Sequence, residues 1–366
     1  IGLVGSEMCI RDRFRYKVRL CMTVIGVAGC TALIVAAFGL LNSFEPMTHD
    51  QFETIYKYDA VVVPKDSGSA DNLSFLTDTL DKNSNVKHSM LVSQQECTVT
   101  HGSKVKDSDT NLVVPQNPEK FDEIVSLHTR KGKEELKLSD SGVMLSEKMC
   151  SELGIKTGDK ITLNVDGKKA EVKVSGIFEQ YLYNFVYMTP TAYKSLFGSD
   201  CTYNMADVAL KDTSDSACDK FGSQVLSDDK IAAVSYIASS LNEFKNMLNS
   251  LDMVVTVMII CAAALAFVVL YNLTNINIAE RVREIATFKV LGFYNRETSS
   301  FIYKENIILT LLGIIVGLFL GNLLTGFIIQ TVEVDNVMFG RDIYFTSYLY
   351  ACLLYTSPSP RDRSVS

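Results

Sequence analysis

The chain has 366 residues, 47% hydrophobic and 21% charged, with 21 Gly and 7 Pro. It is too apolar for a disordered chain and too poor in Gly and Pro for a fibrous or low-complexity one. Its 35 Lys and Arg against 42 Asp and Glu give a net charge of -7, the wrong sign for a dedicated nucleic-acid binder.

Residues 1–13 stand apart from the rest of the chain. Arg-Asp-Arg at 11–13 recurs at 361–363 beside unlike neighbours, and the segments 1–13 and 352–366 resemble translated sequencing-adapter sequence. Both are expected to be non-native tails and are set aside. The next element, 14–44, opens with Arg15, Lys17 and Arg19 and runs into Leu20–Phe44, 25 residues without a charge. About 20 apolar residues cross a bilayer, so this is read as a first span. A signal peptide fits less well, because the apolar run is long and no Ala-x-Ala-like cleavage site closes it.

Residues 45–250 read as one α+β domain. From 43 to 250 there are 31 acidic and 22 basic side chains, a net of -9. Tyr58–Pro64, Val86–Val92 and Cys97–Thr100 have the Val and Thr enrichment of strands. Ser146 is a predicted N-cap for a helix over 147–153, which Gly154 ends. Ile161/Leu163/Val165 and Ala170/Val172/Val174 alternate on either side of Asp166-Gly167, a hairpin signature. Thr189-Pro190 opens a helix through Phe197, and strands at Met205–Leu210 and Ile231–Ile237 flank a helix over 214–226.

Cys97, Cys150, Cys201 and Cys218 fall in this domain; four cysteines allow three pairings, and sequence selects none of them. No C-x-x-C occurs, and His49, His88, His101 and His128 lack ligand spacing, so no metal site is expected. They read as surface or core histidines. Neither G-x-S-x-G nor H-E-x-x-H occurs, and no catalytic residue is assigned.

A charge-free run of 27 residues, Met253–Ala279, contains a second span at 251–274. Ile278, Val282, Ile285 and Ala286 then share one face of an amphipathic helix over 275–292, with Glu280–Arg283 and Arg281–Glu284 paired on the other side. Such a helix either docks a cytoplasmic partner or packs against its own bundle or lies at the membrane interface. A third span is read at 305–331, within the 27-residue run Asn306–Val332. Gly313, Gly317 and Gly321 line one face of it, suited to close helix packing within the bundle or against a second unit. A fourth begins at 343 and is cut short near 351. Lys and Arg before the first span and between the second and third place those flanks in the cytoplasm, with 45–250 outside. Asp252 and Glu305 only flank spans, so no ion pathway is predicted.

The stretch Asn277-Ile-Ala-Glu280-Arg281-Val-Arg283-Glu284-Ile285-Ala286-Thr-Phe-Lys289-Val-Leu-Gly292-Phe resembles the FtsX-like permease domain of ABC transporters, over about 253–351. Leu145-Ser-Glu-Lys, Leu153-Gly-Ile-Lys-Thr-Gly158-Asp159 and Val174-Ser-Gly176-Ile-Phe resemble the MacB-like extracellular domain, and Phe14-Arg-Tyr-Lys-Val-Arg with Thr23-Val-Ile-Gly26 is similar to the family's first span. The resemblance implies a bundle of about four spans, with the α+β domain inserted between the first two. It implies a multi-pass protein of the bacterial cell membrane, with the large domain extracellular or periplasmic and membrane lipid around the spans. It implies two partners: an ABC ATPase, and a second permease unit as a homodimer or the other half of a longer chain. The amphipathic helix would then be a coupling helix, with Glu280, Arg281, Val282, Arg283, Glu284, Ile285, Lys289 and Gly292 facing the ATPase. G-x-x-x-x-G-K-[ST] does not occur, so the chain is expected to hold no cofactor and to use ATP only through its partner. The alternative is a membrane-anchored receptor or scaffold that senses without transport.

Overall fold

The structure, a computed structural model, describes residues 2–66, 69–107, 109–290, 295–333, 337–340 and 347–349, apart from the side chains of 2–20, 276–307 and a few isolated positions. It divides into two compact units. One comprises Ile1–Phe44, Asn249–Val332 and Arg341–Ser366; the other comprises Glu45–Leu248 and Glu333–Gly340. Helix α1 (Gly2–His49) is followed by a π-helical turn (Asp50–Ile55), β1 (Ala60–Pro64), α2 (Ala70–Lys82), β2 (Val86–His101), β3 (Lys104–Lys106) and β4 (Thr110–Pro115). Then come a 3₁₀ turn (Pro118–Glu123), β5 (Val143–Ser146), α3 (Glu147–Leu153), β6 (Lys160–Val165), β7 (Lys168–Phe178), β8 (Asn184–Tyr187) and α4 (Pro190–Phe197). β9 (Met205–Leu210), α5 (Asp215–Leu226), β10 (Ile231–Tyr236), α6 (Ile237–Val290) and α7 (Asn295–Val332) complete the order.

The α+β unit is organised by β2. Its first half pairs with β9 and its last part with β6, while β4 and then β3 run along its other edge. The order β2-β4-β8-β5-β7-β6 therefore returns to β2 and closes a six-stranded barrel. Val99, Leu112, Val114, Leu145, Leu163, Val174 and Val186 fill it, with Met149 and Leu153 of α3 and Ala192 of α4. The order β10-β1-β9-β2 forms an open sheet, one face of which is covered by Leu76 and Leu80 of α2 and Phe221 and Val225 of α5. The sequence reads β2 as two strands because polar Ser93-Gln94-Gln95-Glu96 interrupts its apolar pattern. That interruption is where the strand passes from one sheet to the other, and the ladder to β4 continues through it.

Local signals fold as their chemistry predicts. Asp166 and Gly167 take φ of +47° and +78°, the left-handed pair that a two-residue hairpin requires between β6 and β7. Thr189 accepts from Ala192 N and caps α4. Gly154 ends α3 in the left-handed region, but the Ser146 hydroxyl makes no capping bond. Among the described residues no disulfide forms. Cys97 and Cys150 are buried in the barrel core, and burial pushes both thiols up to about 12. Cys201 packs on the barrel core and Cys218 on the helix-covered one, so the pair nearest in sequence is apart in space.

Two boundaries differ from the sequence reading. α6 begins at Ile237 rather than 251, because Phe244 and Leu248 already have an apolar surface to bury against and no breaker intervenes. It continues through 275–290 without a break, so the predicted second span and coupling helix share one helix. α7 begins at Asn295 rather than 305. The predicted fourth span lies outside the described residues except for a helical turn at 347–349.

Two helical stretches, Cys21–Ile55 and Thr310–Thr331, are long and apolar enough to cross a membrane, and Met253–Val269 is a shorter apolar stretch. Gly313, Gly317 and Gly321 meet α1 at Val27, at Ala28 and Thr31, and at Ala32 and Val35, and Thr325 meets Gly39. Contacts that ascend both helices together make α1 and α7 parallel. A Cβ on Gly317 would lie 2.6 Å from Thr31 Cβ and 2.8 Å from Ala28 O, so only glycine allows this approach. Thr31 and Thr325 return their hydroxyls to Val27 O and Gly321 O, which satisfies them inside an apolar contact. Gly317→Ala is expected to destabilise the purified protein by about 1–3 kcal/mol through overpacking. Gly326→Ala, where nothing lies within 4 Å, leaves the detergent melting temperature unchanged or raises it.

Candidate functional site

The five residues joining β7 to β8, Glu179–Tyr183, form a densely hydrogen-bonded segment of the α+β unit. The Glu179 side chain is 1% exposed, and a buried carboxylate must be neutralised. Three groups converge on it. Lys133 Nζ lies 2.8 Å from Oε2, and Tyr181 Oη donates to Oε1 at 2.5 Å. His128 Nε2 is 3.0 Å from Oε2 but off the line of its N–H, so this contact is electrostatic rather than a linear hydrogen bond. Gly132 and Lys133 both take positive φ, and that reversal aims Lys133 inward. Its ammonium also reaches Asp50 Oδ2 at 3.4 Å. Burial opposes ionisation of Glu179, yet the nearby His128 and the bonds from Lys133 and Tyr181 outweigh it and hold the carboxyl down at about 2. Burial likewise opposes the charge on Lys133, and its bonds to Glu179 and Asp50 nonetheless raise its pKa.

The backbone after Glu179 is gripped from two directions. Gln51 Oε1, in the π-helical turn, accepts from Tyr181 N at 2.8 Å and Leu182 N at 3.3 Å. Gln180 Nε2 donates to Tyr56 Oη at 2.9 Å and to Leu182 O at 2.8 Å. From the other direction, Met338 N donates to Tyr181 O at 2.8 Å, and Val337 forms a β-bridge with Leu182. Lys148 Nζ donates to Val337 O at 2.7 Å, and Met338 and Phe339 are fully buried. The two gripping segments, 50–56 and 333–340, are those that continue in sequence from α1 and α7. One short connection thus clamps both. Beside it, a cavity of about 430 Å³ lies between the 3₁₀ turn and the two arms of the 125–138 loop, lined by Phe121, Val125, Leu127, Leu136 and Leu138 with Glu135 and Lys137 among its charged groups.

A family model described as MacB-like periplasmic core domain matches residues 20–217, more than half of the chain, and one described as FtsX-like permease C-terminal matches residues 256–357. The chain belongs to the FtsX/MacB-like permease family. Its members are membrane permeases of ABC transporters with a periplasmic domain. Among solved structures, the periplasmic region of MacB from Actinobacillus actinomycetemcomitans is 13% identical, with a TM-score of 0.34 over 53% of this chain and 94% of that one. The extracellular domain of the noncanonic ABC-type transporter YknZ from Gram-positive bacteria is 14% identical, with a TM-score of 0.31 over 49% of this chain and 98% of that one. No curated protein matches the chain.

In this permease, Glu280, Arg281, Val282, Arg283, Glu284, Ile285 and Lys289 lie on the backbone of α6, and their side chains fall outside the described residues. Gly292 lies outside them altogether. Gly313, Gly317 and Gly321 face α1. Sequence reasoning misses the clamp entirely. His128 reads as one of four scattered histidines, and no motif singles out Lys133 or Glu179. The one available signal is Glu179-Gln180, a polar pair inside the largely apolar stretch 176–188.

Because Glu179 has a depressed pKa in the folded chain, its contribution is fully present above its unfolded value of about 4.5 and is lost as pH falls towards about 2. Glu179→Gln should therefore cost on the order of 3 kcal/mol at neutral pH, with a gap from wild type that narrows below about pH 4.5 in chemical denaturation.

Proposed function

We propose that the chain is the transmembrane permease subunit of an ABC transporter, in which ATP hydrolysis by a separate ATPase drives movement of the α+β domain outside the membrane. Its work is then done on a peptide, lipid, lipoprotein or envelope partner. The clamp carries this reading. A domain meant only to float on tethers would not lock two of the segments that join it to the rest of the chain, 50–56 and 337–339, to one buried connection. A domain that transmits movement needs the chain segments leading into it to be held.

The amphipathic stretch of α6 supplies the other end of the pathway. Glu280, Arg281, Arg283, Glu284 and Lys289 make the polar contact with the ATPase, Val282 and Ile285 the apolar one, with Gly292 following them in sequence. The parallel pairing of α1 with α7 is what odd-numbered spans of a multi-pass protein require, since both leave the same side of the bilayer. The apolar residues that α6 and α7 leave exposed, including Phe267, Phe319 and Phe327, suit membrane lipid or a second permease unit. The setting is a bacterial cell membrane, with the chain working as a homodimer or as half of a longer permease.

Affinity purification of the full-length protein from its own membranes is expected to recover an ATPase subunit. Arg281→Glu with Arg283→Glu should lower coupled ATP hydrolysis at least about tenfold, the size of a lost charged contact. Recovery of no ATPase, or hydrolysis unchanged by the double substitution, favours a sensing scaffold instead. Gln51→Leu should leave hydrolysis near wild type while uncoupling movement of the α+β domain, read by double electron–electron resonance between spin labels on that domain and on α7.

A further inference from the structure

One backbone position in the clamp is strained around a side chain that the fold hardly uses. Leu182 is held by its bridge to Val337, and Asn184 by its pairing with Thr110 on β4, so the backbone of the one residue between them is fixed from both sides. That residue, Tyr183, takes φ of +59°, the left-handed region that favours glycine and is an outlier for a bulky side chain. Strain of this kind persists only where the surroundings enforce it, and it clusters at sites with a function. The ring is 53% exposed, and among the described residues its hydroxyl makes no hydrogen bond and the ring no aromatic contact.

The place of Tyr183 along the chain says what meets it. Its connection is gripped by Gln51, which lies inside the apolar helical stretch Cys21–Ile55. Arg15, Lys17 and Arg19 stand just before that stretch and hold its first end at the cytoplasmic surface. Its 35 helical residues rise about 50 Å, against about 40–45 Å for a bilayer with its headgroups. The last turn, 50–55, therefore emerges at the level of the far headgroups, and Gln51 ties Tyr181 and Leu182 to that turn. Val337, the other hold on the connection, follows closely on Val332, where α7 ends. A solvent-facing tyrosine at this depth suits lipid, because its ring is apolar and its hydroxyl can donate to phosphate or ester oxygens. We propose that Tyr183 anchors the clamp to the membrane surface, its ring seated among the headgroups of the outer leaflet. The clamp then takes its position from the bilayer as well as from the two chain segments it holds. This rests on the membrane-spanning reading of α1 and α7 and not on the ATPase partner.

The chain contains no Trp, so Tyr183→Trp introduces a single fluorescent reporter. Trp is the other residue of membrane interfaces and bears the same strain at Cβ, so the variant should fold as the wild type does. In liposomes of phosphatidylcholine and phosphatidylglycerol, the full-length variant should emit to the blue of a water-exposed indole, and lipid spin-labelled at the headgroup should quench it at least about twofold. Leu226→Trp, at an exposed position of α5 outside the clamp, should be left unquenched by the same lipid. Phe319→Trp, on an exposed face of α7, should be quenched by lipid labelled in the acyl chain. If Phe319→Trp is quenched and Tyr183→Trp is not, the anchor is overturned, whether the indole at 183 then reports water or the cover of a second copy or another protein. Equal quenching of Leu226→Trp overturns it as well. A Phe319→Trp variant that no labelled lipid quenches overturns the membrane-spanning reading itself, and the anchor with it.

Discussion

The α+β unit depends on one buried charge. Glu179 sits where solvent cannot screen it, and removing one partner from a buried pair typically costs about 3–5 kcal/mol. His128, Lys133 and Tyr181 therefore cannot drift, and the loop that carries the first two is held with them. Because the chain beyond Glu179 is fixed, the amides of Tyr181 and Leu182 present a defined pair of donors to Gln51, and the Tyr181 carbonyl a defined acceptor to Met338. The attachment of two distant chain segments follows from the neutralisation of a single carboxylate.

That attachment is firm but not fully satisfied. Gln51 Nε2 and Gln180 Oε1 are buried without partners, one a donor and the other an acceptor. Leaving such groups unpaired costs about 1–3 kcal/mol each. A clamp that has spare donors and acceptors holds a second arrangement at small energetic distance, which suits a segment that transmits movement rather than one that only braces. The shared strand β2 gives the opposite property to the rest of the unit. One strand serves both the barrel and the open sheet, so these cannot move apart without breaking a continuous ladder.

Much of the fold is legible in the sequence because its signals are local. The Asp166-Gly167 turn needs only two residues tolerant of positive φ, and the Thr189 cap needs only a hydroxyl three residues before an amide. The apolar stretches of α1 and α7 declare themselves by length alone. The misreadings share a cause as well. The pattern divides β2 at Ser93–Glu96 because strand pattern records burial, and burial there changes with the partner rather than with the strand. It starts α6 late because Phe244 and Leu248 count as a buried helical face only once a surface exists beneath them. The clamp is invisible for the same reason: Asp50, His128, Lys133, Glu179 and Met338 are spread over nearly 290 positions of sequence.

The sequence by itself determined which segments are apolar enough for a membrane, which turns the chain makes, and the family to which the order Asn277–Phe293 and Leu145–Asp159 points. These rest on composition and short-range geometry, which need no knowledge of the fold. Only the tertiary structure decided that Glu179 is buried and paired, that 333–340 belongs with the α+β unit, and that Gln51 reaches the amides of Tyr181 and Leu182. Each of these depends on which groups exclude water from a given atom. That is a property of the packed chain, and no spacing along the sequence encodes it locally.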